Sequence, residues 1–213
     1  MSNTRSSAFS RQPRARKTKT RQVRKIFIIV VEGETEKEYF SSSVFKNSKV
    51  KIIPELGKSS NPEGLISSIN EKIEELKQDL TLQGGDPAWL VLDDDNRPAK
   101  EREQLFKWKD EHRSRNIAFT SPQFEYWLIL HFADGNGICT KKECLDEIVK
   151  YIPGYKKGKA NQLPTTVPKI EDAIKRAEKR LPQPLTTNSQ IDNQPSSFTS
   201  VHHLTKQILD NLT

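Results

Sequence analysis

The chain has 213 residues, of which 33% are hydrophobic and 30% charged, and carries a net charge of +7. That length suits one domain with a small appendage and suffices to bury a core, while the low apolar fraction leaves part of the chain outside it. No apolar run reaches the length of a membrane span, the N-terminus lacks a secretory apolar stretch, and the single pair Cys139 and Cys144 makes neither a disulfide framework nor a complete zinc site. The expected setting is a reducing cytoplasm with no membrane partner.

The charge is unevenly placed. Residues 1–25 hold nine Lys or Arg and no Asp or Glu, so removing them from the total of +7 leaves −2 for the remainder. Residues 1–24 therefore read as a disordered basic tail. Such an arm either contacts nucleic-acid phosphates without sequence preference or serves as a solubilising or partner-binding segment.

Beyond the tail, Lys25–Val31 is an apolar run that predicts a buried strand. A helix follows, capped by Thr35 or a neighbour and running to about Phe45, with Tyr39 and Phe40 facing in. Val50–Leu56 is a second strand. Asn61-Pro62-Glu63 is a helix start, and Leu65, Ile66, Ile69, Ile73, Leu76 and Leu80 mark one helical face. Gly84-Gly85-Asp86-Pro87 ends that segment. Ala88–Leu92 is a third strand, Pro98–Arg115 a charged helix and Ile117–Thr120 a fourth strand. This alternation predicts an α/β protein with a mostly parallel four-stranded, Rossmann-like sheet flanked by helices.

Residues 124–132 are almost wholly apolar and aromatic and predict a buried helix. Thr140 and Glu143 are spaced as a capping box for another helix, to Tyr151. Residues 154–168 form a basic loop bearing Gly and Pro, 169–181 an amphipathic helix, 182–197 a polar linker, and 200–212 a last helix. The organisation expected is a tail (1–24), a catalytic domain (25–135) and a helical C-terminal extension with basic loop and linker (136–213).

Two acidic clusters follow apolar strands: Glu32-Gly33-Glu34-Thr35-Glu36 and Asp93-Asp94-Asp95. In open α/β sheets, sites form at the carboxyl ends of strands. Carboxylates gathered there repel one another unless a cation intervenes, and oxygen-only ligands suit Mg²⁺ or Mn²⁺. Glu32 either points into a cleft or is simply a charge at a helix N-terminus. Glu36 lies one turn later and shares its face, whereas Glu34 is expected to point away. Asp93 and Asp95 fall on one side of the strand and Asp94 on the other; the bland alternative is a solvated acidic loop. Glu125 is the lone acid in its apolar run and needs a metal, a cation or a hydrogen-bond network. In Tyr155-Lys156-Lys157-Gly158-Lys159, a lysine either stabilises charge on a phosphoryl group or belongs to an ordinary surface. His131, His202 and His203 read as structural.

The run Val31-Glu32-Gly33-Glu34-Thr35-Glu36 with Asp93-Asp94-Asp95 resembles a Toprim domain, the catalytic fold of topoisomerases, primases and OLD-family nucleases. Residues 121–132, including Phe124-Glu125-Tyr126-Trp127-Leu128, and Tyr155-Lys156-Lys157 resemble the RloB-like family. The likeness spans about residues 25–180. It implies a Mg²⁺- or Mn²⁺-dependent nuclease, with Glu32 as metal ligand or general acid/base and Asp93 and Asp95 as metal ligands. By the OLD-nuclease pattern, Glu36 and Glu125 would join a second metal. It also implies anti-phage defence or restriction and an AAA- or SMC-like ATPase partner. The Asn96-Arg97-Pro98 sequence departs from the small residue that many Toprim proteins carry after their aspartates, and no topoisomerase-type tyrosine is identifiable.

Taken with that resemblance, these residues lead to the expectation of a divalent-metal-dependent phosphodiesterase acting on DNA or an RNA such as tRNA, with Glu32, Asp93, Asp95, Lys156 and Lys157 as catalytic groups. One rival is a non-catalytic regulatory or adaptor subunit of an ATPase complex. A second is a receiver-like domain phosphorylated at Asp93, which the Gly33 after Glu32 and the lack of a clear lysine after a fifth strand disfavour.

Overall fold

The computed structural model describes residues 24–79, 81–94, 96–159 and 163–212. Asp95 and residues 1–23 lie outside these, so the expectations for Asp95 as a ligand and for the disorder of the tail fall on residues not described.

Among the described residues, five strands make one sheet in the order β2 (Val50–Leu56), β1 (Lys25–Val31), β3 (Ala88–Asp93), β4 (Arg115–Ser121), β5 (Phe198–Thr199). The first four are parallel, and β5 runs antiparallel to β4 with Thr120 opposite Thr199. The expected four-stranded sheet is thus corrected to five. The two-residue β5 is too short to leave a periodic signal, and a Thr120–Thr199 hydroxyl bond of 2.9 Å fixes it in place.

Alternation along the strands divides the core into two layers. Phe27, Ile29, Val31, Trp89, Val91 and Ala118 face one side. There they meet α1 (Glu34–Ser41), α4 (Glu125–Ile129), α5 (Lys141–Tyr151), α6 (Val167–Arg180) and α8 (Val201–Leu212). Ile26, Ile28, Val30, Leu90, Leu92 and Phe119 face the other side, against α2 (Pro62–Gln78) and α3 (Ala99–Asp110). Each buried aliphatic or phenyl group contributes about 1.5–3 kcal/mol relative to exposure. No helix among the described residues is long and apolar enough to cross a membrane.

Several boundaries differ from expectation for local reasons. Gly33, not Thr35, caps α1, and a short 3-10 turn (Ser43–Phe45) follows that helix. The third helix stops at Asp110 because Arg115 is claimed by the sheet, paired opposite Ala88. The apolar run after Phe124 yields only the five-residue α4 before the chain turns. The polar stretch 182–197 contains α7 (Asn188–Asp192), and Leu185 and Ile191 are buried beneath α3 and its neighbours. The Asn61 cap and the Thr140–Glu143 capping box form as expected.

Candidate functional site

The strand order reverses between β1 and β3: the chain leaves β1 towards β2 on one side, then returns to build β3 and β4 on the other. Ligand crevices form at the carboxyl ends of strands at such a switch point. Glu32 leaves the end of β1 there, held by its backbone N–H on Val91 O at 3.2 Å, and Asp93 ends β3 beside it. A cavity of about 430 Å³ opens between them, lined also by Glu36, Glu125 and Lys157.

Glu32 is anchored from behind. Its Oε2 accepts from the Asp93 backbone N–H at 3.3 Å and from Arg97 at 3.0 Å. Arg97 is buried, also pairs with Glu101, and follows Asn96, whose φ of 52° turns the chain sharply back. Asn tolerates this left-handed conformation better than most residues.

Glu36 reaches the cavity from the first turn of α1 and is 5% exposed. A Cβ at position 33 would stand 2.8 Å from Glu36 Oε2, so glycine there leaves room for this carboxylate to fold back. Burial, with Glu125 and Glu32 nearby, raises its pKa to about 7. Asp93 is raised well above the ordinary carboxylate range, first by burial and then by Glu36, Glu32 and Glu125. Its Oδ1 is buried with no hydrogen-bond partner among the described residues.

Glu125 is 1% exposed at the start of α4. Its Oε1 accepts from Tyr155 Oη at 2.8 Å, and its Oε2 lies 3.4 Å from Lys157 Nζ. Lys157 also donates to Gln123 Oε1 at 3.0 Å, and the Gly158 N–H donates to Thr35 Oγ1 at 3.0 Å. Residues 155–158 thus form a strap pinned across the cavity from three sides. Gly158 has φ +72° and a Cβ there would meet Glu34 Cβ at 3.2 Å, so both conformation and space favour glycine.

Glu32, Glu36, Asp93, Glu125 and Lys157 therefore share one cavity. Lys156 is exposed and does not line it. Glu34, expected to point away, is exposed at the rim. Asp94 faces the other way as expected, buried in an ion pair with Arg102 at 2.8 Å, which also holds Asp192. His131 is a satisfied core residue between Tyr39 Oη and Trp127 O. The sequence reading missed Arg97, Tyr155, Gln123 and Thr35 as supports of the acids. Tyr155 had a signal in its place beside the lysines, whereas Thr35 and Gln123 had none beyond polarity.

Four acids around one cavity, with an orphaned buried oxygen on Asp93, fit a hard divalent cation in donor chemistry. Their present positions leave room around that fit: among the described residues no three Asp, Glu, His or Cys side chains stand together as a ready-formed metal centre. No curated protein and no solved structure matches the chain. The family model of RloB-like proteins matches residues 27–208, from β1 into the last helix and across every cavity residue, and the chain belongs to the RloB-like family.

Proposed function

We propose that this chain is a divalent-metal-dependent nuclease that hydrolyses phosphodiester bonds in DNA or in an RNA such as tRNA. The observation that carries this reading is the convergence of Glu32, Glu36, Asp93 and Glu125 on one cavity at the switch point of the sheet, with Asp93 Oδ1 buried and without a hydrogen-bond partner among the described residues. Four acids sharing one cavity repel one another unless a cation offsets their charge. These residues would hold Mg²⁺ or Mn²⁺, with Asp95 adjoining them in sequence. A bound divalent ion supplies water activation and neutralises charge on a reacting phosphoryl group.

The chain's own groups divide the remaining work. Arg97 and the Asp93 N–H fix Glu32 in orientation. Tyr155 occupies one oxygen of Glu125 and leaves the other towards Lys157. The Lys157 ammonium, half-exposed at the rim, is placed to meet a phosphate entering from solvent. Glu36, with a pKa near 7, exchanges a proton readily at neutral pH. The Toprim resemblance of the Glu32 and Asp93 segments supports the same chemistry. Family membership is consistent with a role in anti-phage defence or restriction beside an AAA- or SMC-like ATPase, which would gate an otherwise harmful activity.

A second reading is a regulatory or adaptor subunit of such a complex. It is favoured by one observation: Glu32 and Glu125 already have protein cations, Arg97 and Lys157. Incubation of the purified chain with plasmid DNA and with total tRNA, in Mg²⁺ or Mn²⁺ against EDTA, separates the two. Metal-dependent cutting that disappears in Asp93→Ala supports the nuclease. Cutting that survives Asp93→Ala removes this cavity from the reaction, and no cutting with or without an ATPase partner leaves the adaptor.

A further inference from the structure

The opposite pole of the sheet carries the reverse charge. The amino ends of β1 and β2 lie side by side, with Lys25 opposite Val50 and Ile26 opposite Lys51. Beside them is a second cavity of about 400 Å³, into which Arg24, Lys46 and Lys51 project from three separate segments. All three are exposed, and no acidic side chain among the described residues lines this cavity. Arg24 is also where the described chain begins, and the 23 residues before it hold seven further Lys or Arg and no acid. The strand β2 is the sheet's free edge and carries Pro54, which suits an edge that does not recruit another strand.

We infer that this amino-pole cavity, through Arg24, Lys46 and Lys51, docks the phosphate backbone of duplex nucleic acid at a place separate from the acidic cavity. The walls decide the class of partner. Phe40 and Phe45 form the apolar floor but are each 1% exposed, so neither a base nor a lipid chain gains a ring to stack on or insert beside. What remains is cationic contact. A duplex, with one charge per ~1.7 Å of axis, offers more phosphates per unit length than a single strand.

The distance between the poles makes the two sites compatible. Seven residues of β1 separate them, or roughly 20 Å at strand rise. The Debye length at physiological salt is about 8 Å, so the repulsion from Glu32, Glu36 and Asp93 is largely screened at the docking surface. Nucleic acid held there is tethered to the protein without the acids opposing it. A bond to be cut would have to reach the cavity from another part of a long or bent molecule.

The test is binding of the full chain to a DNA duplex of about 30 base pairs in EDTA, where cleavage plays no part, so its result is independent of the nuclease reading. Affinity is followed against salt by fluorescence anisotropy. In the Lys46→Gln/Lys51→Gln double variant, the log–log salt slope is expected to fall by about 2 and the affinity roughly tenfold. The Lys175→Gln/Lys179→Gln variant removes the same charge from α6 and should change neither by more than a small fraction of that. Equal effects of the two variants, or none from the first, would overturn the docking surface. So would tighter binding to phosphatidylserine vesicles than to duplex, which would identify a membrane surface instead.

Discussion

The Tyr155 hydroxyl donates to Glu125 Oε1 at 2.8 Å across thirty residues of chain, tying the basic strap to the most deeply buried acid of the cavity. Removing only the hydroxyl tests what that tie does. Tyr155→Phe leaves a buried carboxylate oxygen without its donor, a cost of about 1–3 kcal/mol. It should lower the urea midpoint without changing the slope. If Tyr155 positions Glu125 for a cation, Mn²⁺ affinity should also fall by roughly 10–100-fold, the usual effect of removing a partner that orients a ligand. A stability loss with unchanged Mn²⁺ affinity would make the bond purely structural.

Asp93 and Asp94 are neighbours with opposite fates, and substitution should separate them. Asp93 is half-buried among like charges, and its buried Oδ1 has no hydrogen-bond partner among the described residues, so Asp93→Asn relieves repulsion in the metal-free protein. Its melting temperature in EDTA should be unchanged or higher, while Mn²⁺ no longer raises it and cleavage falls to the EDTA background. Asp94 instead neutralises the buried Arg102. Asp94→Ala should cost about 3 kcal/mol, because it leaves a cation uncompensated, although Asp192 retains part of the pairing. Scanning calorimetry of both variants decides it: a destabilised Asp93→Asn that still binds Mn²⁺ contradicts the assignment.

Glu36 sets a pH signature. Its carboxyl is raised from 4.5 to about 7, so between those values the folded chain keeps a proton that the unfolded chain has released. The stability this group contributes is therefore complete below about 4.5 and is lost as pH rises through 7. Gln cannot ionise, so in urea unfolding in EDTA wild type should fall progressively below Glu36→Gln in stability as pH rises from about 4.5 through 7, a gap that isolates Glu36 from the histidines. Metal reverses the trend, since protons compete for the same oxygens: Mn²⁺ affinity should rise with pH up to about 7 and flatten above it. A pH-independent Mn²⁺ affinity would place Glu36 outside the binding set.

The sheet was legible because its strands are short apolar runs separated by clear helix starts, and β2 falls on the residues that the pattern marked. The acids were legible for the same reason: a charge immediately after a buried strand has few places to go but the carboxyl edge. What the pattern could not carry was pairing over long separations. Arg97 looks like a departure from a motif, yet it holds Glu32 from a turn that exists only because Asn96 takes a left-handed conformation. Phe198–Thr199 has no period of its own and becomes a strand only beside Thr120 and Ser121. The stretch 182–197 reads as linker by composition and stays largely exposed, but two well-spaced buried side chains, Leu185 and Ile191, anchor it to the core.

Lys157 distinguishes a charge-balancing role from a catalytic one. Its ammonium lies 3.4 Å from Glu125 Oε2, with a side chain 53% exposed. Lys157→Met removes a positive charge from an already acidic cavity, so a cation should bind more tightly there, not less. Cleavage should nevertheless fall, by roughly a hundredfold if the ammonium meets the developing phosphoryl charge. Isothermal titration with Mn²⁺ and single-turnover cleavage of the same preparation give the two readouts. Tighter Mn²⁺ binding with undiminished cleavage would mean that Lys157 only offsets Glu125 in the metal-free chain. Weaker binding would mean that the strap, rather than its charge, shapes the cavity.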